Sequence, residues 1–162
     1  FLDIGFTSDD LVIVSPDEGS TKRALGHKRR LGGSLAIVDK HRTSPTDTIQ
    51  ANIIGGPIEG RAALMFDDMI STAGSICGAA QAVHEAGARE IHVAASHGVL
   101  CGQAREKLDA APISSLVITD SIPVPAEQRP AKLKVISVAP LLAEAIRRIH
   151  HDQSISQMFG DE

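Results

Sequence analysis

Aromatic residues are the scarcest class in this 162-residue chain. It contains no Trp and no Tyr, and four Phe residues are its only aromatics apart from His. A nucleobase site usually offers an aromatic ring or an arginine plane on which the base can stack. The composition therefore supplies few side chains for a nucleobase pocket.

Other classes of site lack their usual sequence features as well. The two cysteines, Cys77 and Cys101, have neither CxxC spacing nor a neighbouring His pair, which argues against zinc and suits a reducing cytoplasm. A net charge of −4 argues against nucleic-acid binding. No apolar run approaches the roughly 20 residues of a membrane span. We expect a cytoplasmic protein that binds neither nucleic acid nor membranes.

Strand-like and helix-like patterns alternate along the chain, and its length suits one domain. Short apolar runs predict strands at residues 11–14, 35–38, 62–66, 91–95, 116–120 and 134–138. Helical patterns cover residues 19–31, 74–86, 103–109 and 139–150, the last with its apolar stripe turned inward. Residues 43–51 are predicted as a loop and 52–60 as a hairpin-type excursion. This order predicts an α/β domain with a mainly parallel central sheet flanked by helices.

An acidic pair followed by a loop of small residues occupies the middle of the chain. An apolar run ends at Asp67 and Asp68, and the segment Ser-Thr-Ala-Gly-Ser precedes the second helix. Backbone N–H groups at a helix start, with the hydroxyls of Ser71, Thr72 and Ser75, are suited to surround a phosphate dianion. The carboxylates can hold ribose hydroxyls, directly or through Mg²⁺. The stretch therefore predicts a sugar-phosphate site.

Ionisable residues follow several of the predicted strands. Ligands of parallel sheets bind beyond the carboxyl ends of the strands, where such side chains converge. Those ends carry Asp17, Lys40, Arg42, Asp67, Asp68 and His97. We expect His97 to be a structural residue. The basic run at residues 22–30 is interpreted as the solvated face of a helix, with a regulatory anion site as the alternative.

Longer motifs narrow this interpretation to one family. They read VSPDEG, AIVDKHR, IIGGPIEGRAALMFDDMISTAGS, SHGVLCG, VITDSIP and ISVAPLLAEAIRRIH. In this order they resemble the C-terminal half of ribose-phosphate pyrophosphokinase, also called PRPP synthetase. The resemblance implies a phosphoribosyltransferase-like (type I) fold over residues 1–162, as one domain of a longer two-domain protein. A chain that begins at Phe1 rather than Met agrees with this.

The resemblance also implies an activity and a set of site residues. Members of the family transfer diphosphate from MgATP to the 1-hydroxyl of ribose 5-phosphate, which gives PRPP and AMP. By position, Lys40 and Arg42 match the catalytic cations of a flexible loop, and Asp17 matches a magnesium ligand. The residues that match the ribose 5-phosphate site are Arg42, Asp67, Asp68, Ser71, Thr72, Ala73, Gly74 and Ser75.

Four positions depart from the family's usual residues, and half of the family's length is absent. Ser71 stands where Asp is usual, Ser75 where Thr is usual, His41 where Arg is common and Ser20 where Gly is usual. The N-terminal half of family members supplies much of the ATP site. We therefore expect this chain to bind ribose 5-phosphate but not to catalyse the reaction by itself. We expect the full-length protein to be a homo-oligomer.

Two other functions stay open. One is a non-catalytic regulatory subunit of PRPP synthetase that keeps the fold, although such a subunit has no need of Lys40 and Arg42. The other is a phosphoribosyltransferase that consumes PRPP. The APLLAEAIRR segment and the small number of aromatic residues argue against the second.

Overall fold

The computed structural model of the chain describes residues 6–41 and 50–159. Its strands are β1 (Leu11–Ser15), β2 (Ser34–His41), β3 (Gln50–Gly55), β4 (Ala62–Ile70), β5 (Glu90–Gly98), β6 (Ser115–Thr119) and β7 (Leu133–Ile136). Its α-helices are α1 (Thr21–Leu31), α2 (Gly74–Glu85), α3 (Ala104–Ala110) and α4 (Ala139–His150).

The strands form one sheet in the order β3-β2-β1-β4-β5-β6-β7. All neighbouring strands are parallel except β2 and β3, which pair antiparallel. The predicted mainly parallel α/β sheet is therefore confirmed. The end of the loop predicted at residues 43–51 is wrong, because residues 50 and 51 begin β3, while residues 42–49 lie outside the described part.

Helices cover both faces of the sheet, and the reason is the continuous apolar character of the inner strands. Along β1, Val12 and Val14 pack in the core cluster that holds α2 and α3 residues, whereas Leu11 and Ile13 pack in the cluster that holds Ala24 of α1. A strand buried on both faces has no polar side to alternate with, as expected within a parallel sheet. The core thus lies on both sides of β1 and β4.

Helix α4 is where the predicted packing fails. Its apolar stripe was expected to turn inward, but Leu141, Leu142, Ile146 and Ile149 are 48%, 56%, 67% and 60% exposed. The helix itself forms as predicted, with Pro140 in its first turn and apolar residues at helical spacing. Amphipathic spacing identifies the apolar side of a helix but does not identify what covers it.

Strands β4 and β5 both extend beyond their predicted ends. Their parallel pairing continues to Met69 opposite His97 and Ile70 opposite Gly98. Paired backbone groups stabilise the strand even where the side chains become polar. Asp67 and Asp68 therefore lie within β4, not after it.

Among the described residues, no helix has the length and the apolar character that crossing a membrane requires.

Candidate functional site

The loop after β4 leads directly into helix α2. Gly74 and Ser75 are the first two residues of the helix, which begins where the sequence pattern predicted it. The residue before them, Ala73, is buried and left-handed, with φ 61°, and forms no side-chain cap. The first N–H groups of a helix have no intrahelical partner. At α2 the capping residue is Ala73, whose side chain offers these N–H groups no acceptor.

The segment that follows β5 holds this loop from one side. Cys101 donates its N–H to the Ser71 carbonyl oxygen at 3.1 Å, and its Sγ lies 3.2 Å from Ser71 Oγ. Leu100 is buried beside it and donates its N–H to the Ile70 carbonyl oxygen. The loop backbone is thus attached to the neighbouring strand end.

A cavity of about 160 Å³ opens at this loop. It brings together residues that are distant in the sequence but were predicted to share one site. Its lining is Asp17, Asp67, Met69, Ile70, Ser71, Thr72, Ala73, Ser75 and Ile76. The convergence expected at the carboxyl edge of the sheet is therefore observed for Asp17, Asp67 and the loop.

Asp17 combines a turn role with a place in this cavity. Its Oδ1 accepts the N–H of Ser20 at 2.8 Å just before α1, and the Ser15 hydroxyl donates to its carbonyl oxygen at 2.6 Å. Such a bond fixes the orientation of an aspartate at a turn. The position lies one residue beyond Pro16 at the end of β1.

An arginine from helix α1 holds the acidic pair. Arg23 of α1 donates from Nη1 to Asp67 Oδ1 at 2.6 Å, and its Nη2 lies 3.1 Å from Asp68 Oδ2. The side chains of Arg23, Asp67 and Asp68 are 34%, 16% and 59% exposed. Backbone N–H groups also contribute, since Asp68 N–H donates to Asp67 Oδ1 and Met69 N–H to Asp68 Oδ1, both at 2.9 Å.

The two carboxyls differ in their affinity for a proton. Burial raises the pKa of Asp67 above its usual value, against the lowering effects of the Asp68 N–H and Arg23. The hydrogen bond with Asp67 lowers the pKa of Asp68, with smaller contributions from Met69 N–H and Arg23. Adjacent carboxyls that interact in this way titrate as a pair. Asp68 is the stronger acid of the two.

Sequence reasoning missed Arg23 as a site residue. The basic run was interpreted as a solvated face, which holds for Lys22, Arg29 and Arg30 because they are exposed. Arg23 instead lies beside buried Ala24 and reaches Asp67 within β4. The sequence contains no signal that singles out Arg23, because the packing of Ala24 that places it beside the sheet is visible only in the structure.

His27, one turn after Arg23, continues the contact between α1 and β4. Its ring stacks on Phe66 with the centroids 3.8 Å apart and 15° between the planes. Burial, followed by the positive charges of Arg30 and Arg23, lowers the pKa of His27. The neutral imidazole is therefore favoured, and α1 is attached to β4 through an apolar stack as well as through Arg23.

The structure describes the backbone of only one of the two predicted catalytic cations, Lys40. Lys40 lies in β2, in register with Ala51 of β3 and three residues after Ile37, which pairs with Ser15 of β1. This register places the Lys40 backbone at the same carboxyl edge as the end of β1. Arg42 lies outside the described residues.

His97 stands apart from the cavity lining. This residue lies near the end of β5, its ring is exposed, and its Nδ1 lies 2.8 Å from Ser121 Oγ. The sequence interpretation favoured a structural histidine at this position, and the observed pairing agrees with that role.

The sheet order and the flanking helices define a phosphoribosyltransferase-like α/β fold. An orotate phosphoribosyltransferase from Aeropyrum pernix has a similar fold at 16% identity, with a TM-score of 0.50 over 90% of this chain and 71% of its own. A likeness at that identity is evidence for the fold alone. The sequence comparisons are more specific.

Residues 43–160 match the phosphoribosyl synthetase-associated domain, so the chain belongs to that family. A ribose-phosphate pyrophosphokinase of Rhodopirellula baltica is 66% identical over 99% of this chain, and that of Bacillus subtilis is 45% identical over 96%. The structure of a phosphoribosylpyrophosphate synthetase from Mycobacterium smegmatis superposes with a TM-score of 0.82 at 32% identity over 93% of this chain. The resemblance to the pyrophosphokinases is thereby confirmed.

These relatives are about twice as long as the chain. It spans 51% of the Rhodopirellula protein, 49% of the Bacillus protein and 48% of the Mycobacterium chain. The comparison therefore applies to one half of each relative.

Proposed function

We propose that this chain carries the ribose 5-phosphate site of a ribose-phosphate diphosphokinase. The observation that supports this most strongly is that one cavity is lined by Asp17, Asp67 and the loop residues Ser71, Thr72, Ala73 and Ser75. A phosphate held by the loop and the α2 N–H groups places the sugar toward the acidic pair, whose carboxylates accept ribose hydroxyls. Pyrophosphokinase relatives with 66% and 45% identity support the same assignment.

In the proposed reaction, the 1-hydroxyl of the sugar attacks the β-phosphorus of ATP. The new bond joins O1 to Pβ, the bond from Pβ to the bridging oxygen of Pα breaks, and AMP leaves with that electron pair. The hydroxyl proton passes to solvent. Catalysis of such transfers consists mostly of positioning and charge neutralisation. Lys40 supplies a point charge and Arg42 a planar fork for phosphate oxygens.

The carboxylates on the described residues suit Mg²⁺ better than they suit a metal ion that is held entirely by protein side chains. Among residues 6–41 and 50–159, no three His, Cys, Asp or Glu side chains cluster as a metal site. Magnesium is usually held by one or two carboxylates together with substrate phosphates. Asp17 and Asp67 line one cavity and meet that requirement. Mg²⁺, when bound, supplies neutralisation of phosphate charge, and Asp17 is the residue we assign to it.

ATP is the proposed second substrate, and the rest of the parent protein is proposed to contribute most of its site. We expect a cytoplasmic homo-oligomer. We also expect the 162-residue chain alone to bind ribose 5-phosphate and to form no AMP.

Calorimetry with ribose 5-phosphate and Mg²⁺ tests the binding site. Thr72→Glu places a carboxylate at the exposed loop and is expected to abolish the heat of binding, because two anions would share one site. Gln153→Glu adds the same charge at an exposed position after α4 and should leave the heat unchanged. Equal heats from the unaltered chain and Thr72→Glu would refute the loop assignment.

The metal role of Asp17 needs a substitution that preserves its turn. Asp17→Asn keeps an oxygen acceptor for the Ser20 N–H but removes the charge. We expect an unchanged melting temperature and a loss of the Mg²⁺ dependence of ribose 5-phosphate binding. Asp17→Ala should lower the melting temperature and also abolish the Mg²⁺ dependence. A retained Mg²⁺ dependence in Asp17→Asn would remove this residue from the metal site.

Turnover separates the enzyme from a regulatory subunit. In the full-length parent, Lys40→Ala is expected to reduce AMP formation by at least about a hundredfold, the scale for a removed transition-state charge contact. Lys22→Ala removes the same charge from the exposed side of α1 and serves as the control. An unchanged rate in Lys40→Ala would exclude Lys40 from catalysis.

A further inference from the structure

A guanidinium that spans two adjacent carboxylates is the feature that the proposed function leaves unexplained. Arg23 reaches Asp67 and Asp68 with different nitrogens of one planar group, at 2.6 Å and 3.1 Å. A fork of this kind fixes two acceptors relative to each other, which a point charge cannot do. Its contacts therefore determine the geometry of the pair as well as its charge.

Arg23 approaches Asp67 from outside the cavity at the phosphate loop. Asp67 lines that cavity, and Arg23 does not. A second groove, of about 330 Å³, is lined by Arg23, His27, Phe66, Asp67 and Asp68 together with residues of β5 to β7. Asp67 thus lies between the two cavities, with the loop on one side and Arg23 on the other. A ligand held by the loop meets the carboxylate and not the guanidinium.

Helix α1 has little freedom to withdraw Arg23. Ala24, the next residue, is 2% exposed in the core cluster with Leu11 and Leu64. His27 stacks on Phe66, the residue immediately before Asp67. The same helix face thus contacts the strand through packing and through the ionic fork. The position of the acidic pair is consequently coupled to the position of α1.

We propose that Arg23 is a positioning residue, which joins Asp67 to Asp68 and so holds Asp67 in the orientation that receives the ribose hydroxyls. This rests on the proposed ribose 5-phosphate site. Arg23 acts through the carboxylates and makes no contact with the sugar. Its removal therefore affects recognition of the sugar and spares recognition of the phosphate, which belongs to the loop and the α2 N-terminus.

Two probes of different size separate these effects. Ribose 5-phosphate engages the loop and Asp67, whereas inorganic phosphate engages the loop alone. In Arg23→Gln, we expect the affinity for ribose 5-phosphate to fall about tenfold, the effect of one weakened hydrogen bond to a charged group. The affinity for inorganic phosphate should change less than about twofold, because Arg23 is outside the loop cavity. Arg23→Lys keeps the charge without the fork and should restore only part of the sugar affinity.

Arg29→Gln is the matched control, since Arg29 is an exposed arginine on the same helix. It makes the same change in charge and should leave both affinities unchanged. Equal losses for the two probes in Arg23→Gln would refute the inference, since they indicate a general charge or folding effect. Unchanged affinities would refute it as well. If the unaltered chain binds inorganic phosphate but not ribose 5-phosphate, or binds neither, the proposed function fails and this inference fails with it.

Discussion

Gly74 offers a test in which stability and ligand affinity change in opposite directions. It is the first residue of α2, and an added Cβ would meet only Thr72 Oγ1, at 3.8 Å. The φ angle of Gly74 is not positive, so an alanine fits the backbone there without strain. Gly→Ala at such a position stabilises a fold by about 0.4–1 kcal/mol, mainly through the unfolded chain.

The added methyl group of Gly74→Ala would stand beside the Thr72 hydroxyl, where the phosphate is proposed to bind. Displacing the phosphate from one N–H donor costs about 1.5–3 kcal/mol for a charged hydrogen bond, or roughly ten- to a hundredfold in affinity. We therefore expect a melting temperature higher by about 1–4 °C for a chain of this size and a clearly weaker binding of ribose 5-phosphate. Thermal melts and calorimetry on the same samples measure the two effects.

Gly26→Ala is the control for this prediction. Gly26 is exposed within α1, and an added Cβ there meets no atom within 4 Å. It should raise stability by a similar amount, since Ala is favoured over Gly in a helix by about 1 kcal/mol, and leave affinity unchanged. Undiminished affinity in Gly74→Ala would refute the close approach of phosphate to the start of α2.

Two further predictions concern stability. Gly55→Ala should destabilise the chain by at least about 1–3 kcal/mol from its backbone conformation alone, because Gly55 has φ +123° and its Cβ would lie 2.4 Å from the Leu35 carbonyl oxygen. An unchanged denaturation midpoint would contradict this. Hydrogen bonds from Arg147 and then Arg148 lower the pKa of Glu144 from 4.5 to about 2, so its stabilising effect is complete above about pH 4.5 and is lost as the pH falls toward 2. Melting temperatures of Glu144→Gln should fall less steeply over that range than those of the unaltered chain, and parallel curves would contradict the assignment.

Sequence pattern alone was sufficient for the fold class, because each inner strand contains a continuous buried run that is mostly apolar. A run such as Leu11–Ser15 is buried at every position, and only a sheet covered on both faces accommodates that. Pairing register was not predictable in the same way. Strand β4 continues through Asp67 and Asp68 to Ile70 because β5 pairs with it there, and side-chain polarity gives no indication of that pairing.

Part of the candidate site could likewise be predicted from residues that are adjacent in the sequence. The residues from Asp67 to Ser75 are contiguous, so their chemistry is visible in the sequence, and the structure brings Asp17 to the same cavity. Arg23 was not predictable, since it is one of several basic residues on α1 and only the packing of Ala24 distinguishes its side of the helix. The contact with Asp67 spans 44 positions of the chain.

The sequence by itself thus determined which segments become strands and helices, and it indicated the loop that we propose as the phosphate site. These properties depend on residue type and on spacing over a few positions. Only the tertiary structure decided that Arg23 spans the acidic pair and that the apolar side of α4 lies exposed. Both depend on how separate elements pack, and a helix of given amphipathic pattern is compatible with many partners.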